Sequence, residues 1–310
     1  MQAHLDRPRR YVTADVFSDH MFQGNPVAVV LDAQGLSPEQ MLMLAKEFNY
    51  VESTFVLPPG DPAHTARVRI FTPVREVPFA GHPNIGTAFL LGREAAEQGK
   101  LLRHVIFEEE AGLVPIDLMW EDEALVGAEL TCPEPFSRRR KIAVEQAAAC
   151  LSLDPSDIRN LDHEPQVVSV GLPFLVVELS SRDALRRARP DKAAYARVLP
   201  VDGAHSIYAY TRFLDPGESD CDLQARMFTS YMVEDPATGS ATAAVSALLA
   251  EIRGSSELRL RVRQGVDMGR PSTLLTRVTR QDGEAPIVKL GGRCVSVMAG
   301  TLQNVPRPDL

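Results

Sequence analysis

The chain has 310 residues, 45% apolar and 24% charged, with a net charge of −8. That length accommodates two domains with sizeable cores. The acidic balance, relieved only by short basic runs such as Arg138-Arg139-Arg140, counts against a nucleic-acid surface. No apolar run has the length of a membrane span, and residues 1–10 are polar with no apolar signal core, so the expected location is the cytoplasm. Cys132, Cys150, Cys221 and Cys294 stand singly, without a Cys-x-x-Cys pair or a histidine at ligand spacing, and read as reduced structural thiols. No metal site, P-loop or Rossmann glycine pattern is present.

In chain order, residues 11–17 and 26–31 read as paired strands around the turn Phe22-Gln23-Gly24-Asn25-Pro26. Asp15 on the first strand is a candidate pocket residue by position alone. Ser37-Pro38-Glu39-Gln40 opens a helix with a capping box and runs to about Phe48, where Asn49 ends it. Residues 50–57 form a strand that starts with an acid, Glu52. Facing inward it would have a pKa raised towards the range of a general base; facing solvent it would be an edge carboxylate. A strand over 66–72 precedes a helix from about His82 to Gln98, stopped by Gly99, and strands follow at 102–107, 113–119 and 124–130. The polar segment 133–140 is the candidate linker.

The second half begins with helical stretches at 144–151 and 155–158, strands at 166–170 and 174–179, and short helices at 183–189 and 192–198. Strands at 206–213 and 222–229 lead to a helix from Thr238, and strand-like segments follow at 258–263, 272–279, 287–290 and 294–302. This pattern is α+β, with two related domains at 1–137 and 138–310; the last strand is able to return to the first half. No sustained strand–helix alternation of the doubly wound type is present.

The relation between the halves is written in a repeat. Arg69-Ile70-Phe71-Thr72 is followed by Pro78-Phe79-Ala80-Gly81-His82-Pro83 and a helix rich in small residues. Arg226-Met227-Phe228-Thr229 is followed by Glu234-Asp235-Pro236-Ala237-Thr238-Gly239-Ser240-Ala241 and an Ala-rich helix. The first amides of a helix lack intrahelical acceptors, and the dipole favours negative charge there. An anion would fit the second turn with Asp235 and Ser240 beside it. The plainer reading of that turn is an ordinary capped helix. Two such helix starts facing one cleft would hold a small carboxylate from both sides.

These motifs, with Gly24-Asn25-Pro26, Glu52-Ser53-Thr54-Phe55, Gln264-Gly265 and Met268-Gly269-Arg270-Pro271-Ser272, resemble in order and spacing the PhzF-like phenazine biosynthesis family across nearly the full length. The resemblance implies a diaminopimelate-epimerase-like fold: two pseudo-symmetric domains, each a curled β-sheet around a central α-helix, with the active site between them. It also implies a cofactor-free, often homodimeric enzyme. The family's named activity is isomerisation of trans-2,3-dihydro-3-hydroxyanthranilate, a proton shift in a cyclic diene carboxylic acid. By the same resemblance Glu52 matches the proton-shuttling acid and His82 and Asp235 the polar pair that orients substrate. Ser240 matches a substrate-contacting hydroxyl and Gly81 and Gly239 match glycines of the carboxylate pocket, and Thr238 beside Gly239 is a candidate substrate-binding residue. Asp235 close to His82 would keep the imidazole protonated or fix its tautomer.

Racemases and epimerases of this fold place a cysteine at the turn before each helix. This chain has Ala80 in one turn and Pro236-Ala237 in the other. One carboxylate that removes a proton and returns it at another carbon is the simpler fit. The expected function is therefore a cofactor-independent isomerase that shifts a proton and a double bond in a small cyclic carboxylic acid through Glu52. The alternatives are a racemase or epimerase of an amino or imino acid, and a non-catalytic metabolite-binding protein.

Overall fold

In the computed structural model, which describes residues 8–280, 284–303 and 305, the opening strand is β1 (Arg9–Val16). β2 (Asn25–Val30) runs antiparallel to it after the Gly24-Asn25-Pro26 turn. α1 (Pro38–Phe48) starts in the expected capping box, with Ser37 Oγ accepting from Gln40 N and Gln40 Oε1 accepting from Ser37 N. It ends at Asn49 in the left-handed conformation. Then come β3 (Glu52–Leu57), β4 (Ala66–Phe71), β5 (Glu76–Val77), α2 (Gly81–Glu97), β6 (His104–Glu109), β7 (Gly112–Glu121) and β8 (Ala124–Thr131). The later elements are β9 (Ser137–Lys141), α3 (Val144–Cys150), β10 (Gln166–Ser169), β11 (Pro173–Glu178), α4 (Arg182–Arg187) and α5 (Lys192–Val198). They continue through β12 (Ile207–Thr211), β13 (Leu223–Phe228), β14 (Glu234–Asp235), α6 (Gly239–Arg253), β15 (Glu257–Gln264), β16 (Ser272–Thr279) and β17 (Ile287–Leu302). No helix among the described residues is long and apolar enough to cross a membrane.

Two units result: the chain up to Leu130 together with the stretch from Gly291 onward, and Thr131–Leu290. The segment 133–140, expected to be a linker, carries β9, an exposed polar strand that pairs antiparallel with β10. The segments 287–290 and 294–302 are one continuous strand, β17, whose second part pairs with β1 in the first unit.

In the first unit β2 and β3 are parallel, β3 and β4 antiparallel, β4 and β5 antiparallel, β4 and β6 parallel, and β6 and β7 antiparallel. α2 lies against β1, β2, β3 and β7 and is buried over most of its length. Gly86 costs the helix about 1 kcal/mol of propensity relative to alanine. A Cβ there would come within 2.6 Å of Val27 Cγ1 and 2.8 Å of Val16 Cγ2, so the close approach to the sheet requires glycine. α1 packs on Val30, Phe55 and Phe71 in a separate apolar cluster.

The second unit repeats this order of pairings. β11 and β12 are parallel, β12 and β13 antiparallel, β13 and β14 antiparallel, β13 and β15 parallel, and β15 and β16 antiparallel. α6 is apolar nearly all round, as a central helix must be, and it lies against β10, β11, β15 and β16. A further apolar cluster unites residues of α3, α4 and α5 with Val167, Leu175 and Ile207.

Register makes the repeat exact enough to align residues. Phe71 faces Glu76 and Ser53; Phe228 faces Glu234 and Ile207. Both central helices begin five residues after that glutamate, at Gly81 and Gly239. Hence Val77 corresponds to Asp235, Ala80 to Thr238, Gly81 to Gly239, His82 to Ser240, and Glu52 to Ser206.

Candidate active site

In the first unit β3 begins at Glu52, which stands opposite Val27 of the parallel neighbour β2. α2 begins at Gly81, which makes His82 its second residue. The two side chains meet: His82 Nδ1 lies 3.3 Å from Glu52 Oε2, and the side chains are 7% and 16% exposed. Of the two orientations open to Glu52 from sequence, the inward one is realised. The other ring nitrogen, His82 Nε2, lies 3.4 Å from the carbonyl oxygen of Pro26. A carbonyl only accepts, so this nitrogen carries the proton. Burial pushes the imidazole down from its ordinary value to about 4. Burial thus favours the neutral ring at neutral pH.

The Gly24-Asn25-Pro26 motif supplies that carbonyl. The turn before it bends through positive φ at Phe17, Phe22 and Gly24. Asp15 ties the turn down by accepting from the Phe22 amide at 2.6 Å. Buried in this way, Asp15 shapes the loop that presents Pro26.

In the second unit Asp235 is buried in β14 and Thr238 is the N-cap residue of α6. Thr238 makes no side-chain cap; its hydroxyl donates to Asp235 Oδ2 at 2.6 Å. Ala80, the residue at the N-cap of α2, has no side chain capable of capping. By contrast α1, α4 and α5 are capped by Ser37, Ser181 and Asp191. Gly81 and Gly239 open their helices without bulk at the first turn, and Ser240 is half-buried beside Gly239.

A residue of the sequence motifs that had no assigned role holds this second turn. Gln264, fully buried on β15, donates through Nε2 to Asp235 O at 2.8 Å and to Thr238 Oγ1 at 3.0 Å, and its Oε1 accepts from Thr238 N at 3.0 Å. Ser272 Oγ donates to Pro236 O at 2.9 Å. Gln264-Gly265 and Arg270-Pro271-Ser272 are thus the brace of the Asp235 turn. The sequence signal was their resemblance to the motifs of the family; their contacts, across some 30 positions of chain, were invisible.

The four thiols lie away from both turns in sequence and burial raises each, Cys150 and Cys221 to about 11 and Cys132 to about 12. None is poised as a base at neutral pH.

Residues 14–300 match the family model described as phenazine biosynthesis-like protein. An uncharacterized isomerase of Mesorhizobium japonicum is 34% identical over 95% of this chain and 98% of its own length. Trans-2,3-dihydro-3-hydroxyanthranilate isomerase of Pseudomonas aeruginosa is 35% identical over 94% of this chain and 98% of its own. Among solved structures, the phenazine biosynthesis protein of the PhzF family from Bacillus anthracis matches with a TM-score of 0.83 at 24% identity, covering 96% of this chain and 99% of that one. With an α+β, epimerase-like fold of two repeated units, this chain is an isomerase and belongs to the phenazine biosynthesis-like (PhzF) family.

Proposed function

We propose that the chain is a cofactor-independent isomerase that moves a proton, and with it a double bond, within a small cyclic carboxylic acid, using Glu52 as the proton carrier. The observation that carries this reading is that, of the corresponding positions of the repeat, only those of the first unit pair a carboxylate with an imidazole. Glu52 lies against His82 in the first unit, and the corresponding positions of the repeat are Ser206 and Ser240. Two-base epimerisation asks for a proton acceptor and a proton donor on opposite faces of one carbon. A single carboxylate asks only for one face of a conjugated system.

The tautomer of His82 gives the pair its chemistry. With Nε2–H directed at Pro26 O, the neutral ring offers Nδ1 as an acceptor towards Glu52 Oε2, and the proposed cycle starts with one movable proton on the Glu52 carboxyl. Its transfer to Nδ1 frees Glu52 as a carboxylate. The carboxylate then takes an allylic proton, the C–H electrons enter the conjugated system, and the imidazolium offsets the charge that builds there. Return of the proton from Glu52 to another carbon, and of the first proton from Nδ1 to Oε2, completes the isomerisation with no net loss. Each central helix opens on amides that no side chain caps, at Gly81 in the first unit and at Gly239 in the second, and such a helix start suits an anionic group of a substrate. Assembly as a homodimer belongs to the same proposal and is read by light scattering.

The relative from Pseudomonas aeruginosa is named for trans-2,3-dihydro-3-hydroxyanthranilate, which is the first substrate to test. Proton NMR in heavy water follows this compound with the native protein and with Glu52→Gln. Loss of substrate with the native protein alone supports the reading. Equal loss with both removes Glu52 as the carrier. No loss with either sends the search to other cyclic carboxylic acids.

A further inference from the structure

β6 and β15 are corresponding strands: Arg67 faces Glu108 across β4 and β6, and Gln224 faces Arg263 across β13 and β15. The next residue on each strand is Glu109 in the first unit and Gln264 in the second. The chain after each strand also holds the carbonyl of the corresponding proline, the Ala111 amide donating to Pro78 O and Ser272 Oγ to Pro236 O. An acid therefore occupies the position from which an amide braces the turn of the other unit.

Its surroundings are unusual for an acid. Both carboxyl oxygens of Glu109 are buried without a hydrogen-bond partner of ordinary geometry. The side chain that lies against it is Asn84, fully buried in the first turn of α2, whose Oδ1 and Nδ2 are likewise without such partners. A carboxylic acid and a carboxamide are mutually complementary: the acid O–H donates to Oδ1 while its carbonyl accepts from Nδ2–H. A carboxylate can only accept, and would leave Oδ1 facing negative charge. Four buried atoms are satisfied together only if Glu109 keeps its proton.

We propose that Glu109 is a positioning residue for His82, acting as a neutral acid that grips Asn84 and so fixes the first turn of α2, in place of the amide that Gln264 uses on the Asp235 turn. Asn84 follows His82 by two residues, so a slack first turn would swing the imidazole off Glu52. Burial raises the Glu109 carboxyl to about 8, which keeps it protonated at neutral pH. The charged groups that share its cavity wall are Arg67 and Arg69 on β4, Glu76 on β5 and its neighbour Glu110; Arg69 is bound by Glu76, and Arg67 and Glu110 are turned towards solvent. This inference rests on the isomerase reading of His82 and Glu52, and its test includes a readout that does not.

The experiment compares the native protein with Glu109→Gln and Glu109→Ala, by turnover against pH and by thermal unfolding against pH. A raised carboxyl pKa means that the folded state holds a proton the unfolded state releases, so native stability falls as pH rises from about 4.5 to 8. Glutamine keeps the pairing and has no proton to lose. The expected result is that Glu109→Gln removes this fall and, where the native enzyme loses turnover around pH 8, removes that loss as well. Glu109→Ala lowers kcat more than tenfold at pH 7 with a smaller change in KM. A Gln variant as impaired as the Ala variant, or one that keeps the native pH dependence of unfolding, overturns the proposal. If the native protein turns over no tested acid, the functional reading fails separately and the unfolding profiles still decide the state of Glu109.

Discussion

Arg69 and Glu76 form a two-bonded ion pair, Nε to Oε1 and Nη2 to Oε2 both at 2.6 Å, and Arg226 and Glu234 repeat it at 2.9 and 2.7 Å. Each guanidinium also lies over the phenylalanine two residues on, 5.3 Å from the Phe71 ring centre and 4.8 Å from that of Phe228. This is what the repeated Arg-x-Phe-Thr motif builds: a clamp on the short strand that leads into the central helix. The two clamps differ in what covers them. Arg69 and Glu76 are 21% and 29% exposed, against 6% and 13% for Arg226 and Glu234. Arg226 Nη1 further donates to the carbonyls of Leu185, Arg186 and Ala188 at the end of α4.

That difference sets unequal costs for the same substitution. Arg226→Met leaves a largely buried glutamate unpaired and takes a donor from the Leu185 carbonyl, while those of Arg186 and Ala188 keep Arg189, for a loss of about 3–5 kcal/mol. Arg69→Met breaks a more solvated pair and costs about 1 kcal/mol. Urea unfolding of the two variants measures both. Equal losses would show that the cover over Arg226 contributes nothing.

Glu52→Gln tests the proton carrier at nearly constant shape. An amide neither takes nor gives the substrate proton, and loss of a positioned acid–base group lowers turnover by about 10²–10⁴-fold. Because the side chain lies at the start of β3 and its loss opens no cavity, the folded population should be unchanged by circular dichroism. A variant that retains turnover while folded removes Glu52 from the mechanism.

Much of this was legible in the chain. The capping box of α1 and the starts of α2 and α6 are local chemistry, and each lies within a residue or two of the expected position. The two-residue strands β5 and β14 were not legible, because two residues carry no alternation; they pair with β4 and β13, whose Arg69 and Arg226 bind Glu76 and Glu234. β9 reads as linker since Ser137-Arg138-Arg139-Arg140-Lys141 is polar on both faces, and only pairing with β10 makes it a strand. β17 reads as two strands because Gly291-Gly292 interrupts it. A Cβ at Gly291 would lie 2.8 Å from Ala128 O, so the interruption in sequence is a close contact in space. At the site, composition placed no acid against His82. Glu52 was singled out through family resemblance, and the neutral state of His82 is a consequence of burial that periodicity does not reveal.

Gly265→Ala probes the brace of the Asp235 turn. Gly265 has φ +76°, and an added Cβ would lie 2.3 Å from Arg270 O and 2.7 Å from Pro236 O, both main-chain atoms that have little room to yield. Left-handed strain and steric clash together should cost about 2–4 kcal/mol. The displaced Pro236 would also disturb Asp235 and Thr238, so turnover should fall in the fraction that remains folded. Thermal unfolding with parallel turnover measurements checks both effects. A fully stable Ala variant would show that the turn has slack.

His82 carries a pH signature of its own. Its folded pKa is depressed from 6.5 to about 4, so between these values the unfolded chain binds a proton that the folded chain refuses. Stability therefore rises with pH across this window and is lost as pH falls from about 6.5 towards 4, by at most about 3 kcal/mol from this group. His82→Gln removes the titration and should flatten that part of the unfolding profile, while costing turnover at every pH because Nδ1 no longer serves Glu52. NMR of the native imidazole reads the same group directly. A ring that titrates near 6.5 in the folded protein would mean that water reaches it, and that the neutral acceptor on which the Glu52 chemistry depends is not the resting state.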